Sequence, residues 1–188
     1  MILIVGLGNP GKKFFQTRHN IGFLFLDYLK KFGSFPSWRK SEKLEAKISK
    51  GKLFKKDVLL AKPQTFINNS GEAILKIKKF YKLLDENIWV VHDDIGLEVG
   101  RIKISKEKGA GGHKGVQSII NSLETKNFVR FRIGIRPRKK IKNLKNFVLE
   151  KFTKEERRAL NRAKRKFILA IELALKENLE KVMTEINK

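Results

Sequence analysis

Three histidines are the side chains of this 188-residue protein best suited to chemistry near neutral pH. His19 precedes a predicted helix, His92 ends a predicted strand beside Asp93, and His113 follows a glycine-rich stretch. A histidine oriented by a carboxylate can take a proton from water, and a nearby amide can stabilise an oxyanion, which together suit ester hydrolysis. In the structural alternative, His92 is a buried strand-end residue and nearby asparagines only cap turns. Residue type alone leaves both interpretations open.

Polar side chains follow three of the predicted strands. Asn9 comes after the first apolar strand, Asn68 lies in the loop after a later one, and Asp93 follows a third. The C-terminal ends of neighbouring strands form the ligand crevice of an open α/β sheet. We therefore expect these side chains to meet at one edge of the sheet, with His19 folding back over it.

Short apolar runs alternate with segments of helical periodicity along the chain. Strands are predicted at residues 2–5, 44–50, 57–62, 88–91, 101–105 and 128–135, and helices at 20–32, 70–84, 113 or 114 to 123, and 153–178. Asn20 is expected to cap the first helix, a Thr153–Glu156 capping box to open the last, residues 50–52 to turn and 136–145 to form a loop. This alternation indicates one α/β domain, residues 1–188, with a mixed twisted sheet flanked by helices and a long C-terminal helix.

The balance of charges favours a polyanionic partner. Lys and Arg number 43 against 19 Asp and Glu, a net charge of +24, and residues 101–166 hold 22 basic and 5 acidic side chains. Nucleic acid is the commonest partner for such a surplus, although lysines in a chain of biased composition can also simply solvate a surface. Without cysteine there is no disulfide scaffold, thiol nucleophile or Cys-ligated metal. The sequence shows neither a membrane span nor a signal peptide, so we expect a soluble intracellular protein with no membrane partner.

Gly6, Gly8 and Gly11 match the spacing of a dinucleotide-binding loop. Pro10 interrupts the turn, however, and no helix is predicted before about Asn20, so no helix N-terminus would lie under a pyrophosphate. No acidic residue ends a second strand about 20 residues further on. A nicotinamide-dependent oxidoreductase is therefore a weak alternative.

Several blocks closely resemble bacterial peptidyl-tRNA hydrolases, in the family's order and spacing: residues 5–11 (VGLGNPG), 17–22 (TRHNIG), 62–71 (KPQTFINNSG), 92–94 (HDD) and 111–115 (GGHKG). Residues 131–135 and 146–149 extend the similarity over nearly the whole chain. The resemblance implies a monomeric cytoplasmic esterase, without metal or cofactor, that cleaves the ester between a peptide and the 3′-terminal ribose of tRNA. From the residues alone, the C-terminal helix could instead pair with another copy.

The resemblance also implies roles for residues at matching positions. His19 is the catalytic base, Asp93 orients it, and Asn9 holds the water or the oxyanion. The implied substrate-binding positions are Asn68 at the peptide backbone, Phe66 lining the site and His113 bordering it. The second hypothesis is an RNA-binding relative of the same fold that has lost turnover. Retention of the His–Asp pair favours the enzyme, because a pure binder has no need of it.

Three positions depart from the family pattern. Phe14 stands where tyrosine is usual, which removes a hydroxyl but leaves a ring that can stack on the terminal base. Lys114 replaces an asparagine expected to bind the substrate, and lysine cannot accept a hydrogen bond although it can reach a phosphate. Ser105 occupies the place of a basic phosphate contact. The expected tRNA phosphate contacts are therefore Lys103, Lys106 and Arg132.

Overall fold

A seven-stranded sheet forms the centre of the fold. The computed structural model describes residues 1–137 and 140–188. The strands are β1 (Ile2–Gly6), β2 (Arg39–Ser41), β3 (Ala46–Leu53), β4 (Lys56–Pro63), β5 (Ile88–Glu98), β6 (Ile102–Lys106) and β7 (Val129–Arg136). Their order is β2-β3-β4-β1-β5-β7-β6, with the four central strands parallel and the outer pairings antiparallel. The predicted mixed sheet is confirmed.

Helices cover both faces of the sheet. They are α1 (Ile21–Phe32), α2 (Ser70–Tyr81), α3 (Lys114–Leu123), α4 (Leu144–Leu149), α5 (Lys154–Lys176) and α6 (Leu179–Ile186). On the face of α1, α5 and α6, the rings of Phe25 and Phe131 both meet Phe167 edge-on, at centroid distances of 5.2 and 5.9 Å. Helices α2 and α3 pack Ile74 and Ile119 on the other face. Because both faces are covered, β1 is apolar at successive positions.

Element boundaries differ from the sequence-based expectation in several places. Strand β5 continues to Glu98, because Asp93 and Asp94 still pair with β7. The β3–β4 hairpin turns at Phe54 and Lys55, not at residues 50–52; their φ angles of 47° and 67° are those of a two-residue type I′ turn. Helix α2 ends earlier than predicted, at Tyr81. The short elements β2, α4 and α6 were not predicted.

The C-terminal helix begins as predicted. Thr153 Oγ1 accepts the N–H of Glu156 at 3.2 Å, and Glu156 accepts the N–H of Thr153 at 2.7 Å, which completes the capping box. The helix α5 ends at Lys176, and α6 follows as a separate helix. Residues 138 and 139 of the predicted 136–145 loop lie outside the described residues. In the part of the chain that the structure describes, no helix is long and apolar enough to cross a bilayer.

Two glycines bring the start of α1 directly against the sheet. A Cβ on Gly22 would lie 2.4 Å from both the nitrogen of Leu7 and the oxygen of Val91, and a Cβ on Gly6 would lie 2.4 Å from the oxygen of Gly22. Gly6, the first glycine of the dinucleotide-like motif, therefore serves close packing of helix on strand. The same packing holds the turn that precedes α1, with His19, at the carboxyl end of β1 and beside Val91 in the middle of β5.

Candidate active site

His19 lies in a 3-10 turn, Arg18–Asn20, directly before α1. The next side chain, Asn20, bonds the backbone of Asn9 reciprocally: its Oδ1 accepts the N–H at 2.9 Å and its Nδ2 donates to the carbonyl at 2.8 Å. Asn20 occupies the N-cap position of α1 as predicted, but its side chain makes no capping hydrogen bond, because the backbone of Asn9 takes both of its polar atoms. These two bonds fix the loop after β1 against the turn that carries His19.

Asp93 is the residue on which two histidines converge. Its buried carboxylate accepts hydrogen bonds from Nδ1 of His19 at 2.9 Å and from Nε2 of His113 at 2.8 Å. Burial raises the pKa of Asp93, but the facing His113 and His19 outweigh burial and hold that pKa below its usual range. Asp93 is therefore an ionised acceptor beneath two imidazole rings.

His113 is both a neighbour of His19 and the N-cap of α3. Its Nδ1 accepts the backbone N–H of Val116 at 3.2 Å, and its ring centroid lies 5.0 Å from that of His19. A Cβ on Gly115 would lie 2.9 Å from Cγ1 of Ile67. Glycine at this position therefore lets α3 approach the loop that follows β4.

Asn9 joins that loop to the site. Its Oδ1 accepts the N–H of Ile67 at 2.8 Å, so Nδ2 is the part of the amide left to donate to a substrate. Phe66 is exposed and its ring meets Phe14 edge-on at 6.4 Å, while Asn68 is exposed one residue beyond Ile67. The structure thus gathers the predicted amide and aromatic positions around one loop.

His92 does not take part in the His–Asp pair. Its Nδ1 lies 2.7 Å from the carbonyl oxygen of Asp93, and because a carbonyl only accepts, Nδ1 donates. The ring packs edge-on against His113 at 4.8 Å, and burial lowers the pKa of His92 well below its ordinary value. Its burial fits the structural alternative for this residue, although it lies within β5 and not at its end.

The predicted phosphate contacts do not all share one surface. Lys103 and Arg132 are direct partners in the β6–β7 ladder, so their side chains lie on the same face of the sheet. Lys106 is paired with Val129, three residues further along β6, and strand alternation directs it to the opposite face. The structure brings two of the three side chains together and separates the third.

Two further charged residues flank the site. Arg132 Nε donates to Oδ2 of Asp94 at 2.5 Å, a partner that sequence reasoning missed. The sequence carries no direct signal for this pair, because the strand is predicted only over residues 88–91. The alternation that turns Asp94 away from Asp93 follows from the continuation of β5 to Glu98. Lys114 is exposed at the first residue of α3, directly after His113.

His19, Asp93 and His113 are also the group of described residues whose ligand atoms, within 4.8 Å of one another, could hold a metal ion. Both ring nitrogens of His113 already have partners, Val116 N–H and Asp93, and the carboxylate is shared by two rings. A cation here would have to break these bonds. The donor set therefore fits a hydrogen-bonded arrangement better than a metal site.

Fold and site together define an α/β enzyme whose histidine–carboxylate pair, with an amide beside it, is suited to hydrolysis by activated water. Comparison with known proteins gives the family. The family model described as peptidyl-tRNA hydrolase matches residues 3–188. The chain therefore belongs to the peptidyl-tRNA hydrolase family and is a carboxylic ester hydrolase, which confirms the resemblance found in its sequence.

Individual relatives agree with this assignment. A peptidyl-tRNA hydrolase of Pseudothermotoga lettingae is 40% identical over 187 residues, covering 100% of this chain and 97% of the relative. One of Clostridium perfringens is 48% identical over 157 residues, covering 84% and 81% of the two chains. The crystal structure of peptidyl-tRNA hydrolase from Acinetobacter baumannii superposes with a TM-score of 0.92 at 32% identity, over 100% of this chain and 94% of the other.

Proposed function

We propose that this protein hydrolyses the ester bond joining a peptide, or an N-blocked amino acid, to the 3′-terminal ribose of tRNA, and so recycles tRNA from aborted translation. Membership of the family supports the reaction. The observation that carries the assignment of the base is the hydrogen bond between His19 Nδ1 and the buried carboxylate of Asp93, at 2.9 Å. With Nδ1 committed to Asp93, Nε2 is the nitrogen able to accept a proton, and it has no hydrogen-bond partner among the described residues.

The proposed reaction uses one water molecule and no covalent intermediate on the protein. His19 Nε2 takes a proton from water as the water oxygen bonds to the ester carbonyl carbon. Asp93 stabilises the resulting imidazolium, and Nδ2 of Asn9 donates to the oxyanion. When the tetrahedral intermediate collapses, the bond to the ribose oxygen breaks and that oxygen takes the proton from His19. The products are a tRNA with a free terminal hydroxyl and a peptide carboxylic acid, which releases its proton to solvent as a carboxylate.

The surface around the pair is suited to the two ends of this substrate. The Phe14 and Phe66 rings, together at 6.4 Å, offer an aromatic surface on which the terminal base of tRNA stacks. Exposed Asn68 hydrogen-bonds the peptide backbone of the substrate. His113, held by its hydrogen bond to Asp93, lies beside the ester carbonyl. Lys114, at the exposed start of α3, contacts a phosphate of the 3′ end.

Basic side chains of the outer strands hold the tRNA backbone in this proposal. Lys103 and Arg132 lie side by side on one face, and Asp94 fixes Arg132 through Nε, which leaves the terminal guanidinium nitrogens for phosphate oxygens. Lys106 lies on the opposite face and contributes less. Recognition of this kind follows the shape and phosphates of the acceptor arm, without base readout. Because all the groups named belong to one chain, we propose that the protein acts as a monomer, in the cytoplasm where tRNA is used.

The test is incubation with N-acetyl-aminoacyl-tRNA, with and without EDTA, followed by separation of the released N-acetyl amino acid. We expect release at an equal rate in both samples, and slower release from unblocked aminoacyl-tRNA. Salt-sensitive binding of tRNA without any release would instead identify an RNA-binding member of the family. Release that EDTA abolishes would contradict the assignment of His19 as the base acting on free water.

A further inference from the structure

Arg18, the residue before His19, is a buried cation at the centre of a contact between two parts of the chain. Its guanidinium Nη2 donates to Glu156 at 2.8 Å, and Nη1 donates to Glu150 at 3.3 Å and to the carbonyl of Phe147 at 3.4 Å. The plane of the group stacks on the ring of Phe147 at 4.2 Å. Arg18 is only 4% exposed. Burying a charge this deeply costs desolvation free energy, and apolar side chains could make a purely structural contact without that cost. The charge of Arg18 therefore suggests a role beyond stability.

The partners of Arg18 start the C-terminal helix. Glu156 is the same carboxylate that accepts the N–H of Thr153 in the capping box of α5. The backbone adds a second connection, because Arg18 N–H donates to the carbonyl of Glu150 at 3.0 Å and Thr17 pairs with Lys151 as an antiparallel bridge. The start of α5 and the His19 turn are therefore joined through both side chains and backbone.

Three successive side chains of this one turn have three different partners. Arg18 bonds Glu156, His19 bonds Asp93, and Asn20 bonds the backbone of Asn9. The backbone of His19 is thus fixed on both sides. The residue before it, Arg18, bonds a group 138 residues away in sequence, and the residue after it, Asn20, bonds a group 11 residues away. Displacements of about 1 Å in a catalytic group can cost two orders of magnitude in rate.

We propose that Arg18 is a positioning residue for the reaction: through Glu156 it holds the His19 imidazole in register with Asp93 without touching the substrate. This inference rests on the proposed function. Arg18 aligns the general base, so its loss lowers kcat and leaves KM for N-acetyl-aminoacyl-tRNA unchanged. Lysine keeps the charge but lacks the planar fork that reaches Glu156 and Glu150 together.

The experiment compares Arg18→Lys, Arg18→Ala and Glu156→Gln with Arg157→Ala as a control. Arg157 lies on α5 and donates to the carbonyl of Phe152, and among the described residues no hydrogen bond or ion pair joins its side chain to Arg18, His19 or Asn20. At temperatures well below each variant's Tm, we expect kcat to fall at least tenfold in the three variants with KM within twofold, and to stay near wild type in the control. Millimolar methylguanidinium should restore part of the kcat of Arg18→Ala.

A folded Arg18→Lys with wild-type kcat overturns the proposal, as does a loss confined to Tm or to KM. If Arg18→Ala does not fold, the kcat values of Arg18→Lys and Glu156→Gln test the proposal. A second readout keeps the inference separate from the proposed function: the NMR signal of the His19 Nδ1 proton, bonded to Asp93, should broaden or shift in Arg18→Lys and not in Arg157→Ala. If Arg18→Lys shows that NMR change but the wild-type protein is inactive, only the proposed function is refuted. If the wild-type protein is active and Arg18→Lys shows no NMR change, the role of Arg18 is refuted.

Discussion

Val116 donates its backbone N–H to Nδ1 of His113 at 3.2 Å, and this bond fixes the tautomer of the imidazole. Because Nδ1 must present its lone pair, Nε2 carries the hydrogen and donates to Asp93. Both nitrogens of His113 are therefore in use. His19 faces the same carboxylate with Nδ1 alone, which leaves Nε2 for a water proton. Among the described residues, two histidines share Asp93, and because His113 also caps α3, only His19 has a ring nitrogen free to act as a base.

This asymmetry predicts different costs for replacing the two histidines. His19→Asn removes the base and should lower kcat by about 10²–10⁴-fold with little change in tRNA affinity. His113→Asn keeps an N-cap acceptor for Val116 and should cost about tenfold or less. The measurement is single-turnover release from N-acetyl-aminoacyl-tRNA, with filter binding of tRNA in parallel. Equal losses in the two variants, or normal turnover in His19→Asn, would show that the base is assigned wrongly.

Asp93→Asn should lower kcat by a similar factor, because an amide at this position can donate to Nδ1 of His19 and so place the ring hydrogen on Nε2, the wrong tautomer for a base. Asp94→Asn is the matched control, one residue along the same strand. It loosens Arg132 instead and should raise KM with kcat near wild type. Steady-state rates across pH 5 to 9 distinguish the two, and an unchanged rate in Asp93→Asn over that range would count against the pair.

Much of the site could be predicted because the sequence pattern shows where strands end, and the ends of parallel strands lie at the same edge of a sheet. Apolar runs predict strands, and parallel strands end at the same edge. Asn9 and Asp93 follow the predicted strands 2–5 and 88–91, which lie side by side as β1 and β5, although β5 itself continues through Asp93 to Glu98. Strand direction follows from the sequence pattern without knowledge of side-chain contacts. The capping box of α5 was equally predictable, since Thr153 and Glu156 are neighbours on one turn.

The remainder depends on contacts between distant segments. Asn20 has a high local preference for the helix N-cap, but in the fold both polar atoms of its side chain bond the backbone of Asn9 instead of the helix. The partner of Arg18 lies 138 residues away, and the tautomer of His113 depends on which backbone amide faces it after folding. The three-residue strand β2 exists through pairing with β3 and has no apolar periodicity of its own. No pattern in a single sequence carries this information.

The two faces of the β6–β7 pair of strands predict unequal effects on tRNA binding. Arg132→Ala should raise KM and reduce the slope of log K against log salt by about 0.7–0.9, the value of one phosphate contact. Lys106→Ala, on the opposite face, should leave both nearly unchanged although it removes the same charge. Affinity for deacylated tRNA between 50 and 200 mM salt, about the range in which such contacts are screened, gives the slopes. Equal slopes in the two variants would mean that net charge, and not the Lys103–Arg132 face, binds tRNA.

His92 should make folding stability depend on pH. Burial lowers its pKa in the folded protein well below the value of 6.5. The neighbouring His113 and, least of all, Arg130 act in the same direction, while the charge and the backbone carbonyl of Asp93 oppose them. The unfolded chain therefore binds a proton below pH 6.5 that the folded chain does not. The stabilisation is complete above that pH and is lost as pH falls, by up to about 1.4 kcal/mol per unit. His92→Asn keeps a donor for the Asp93 carbonyl but cannot titrate. Urea denaturation from pH 8 to about 5 should give a steeper fall in the free energy of unfolding for wild type than for His92→Asn, and parallel curves would show that His92 titrates normally in the fold.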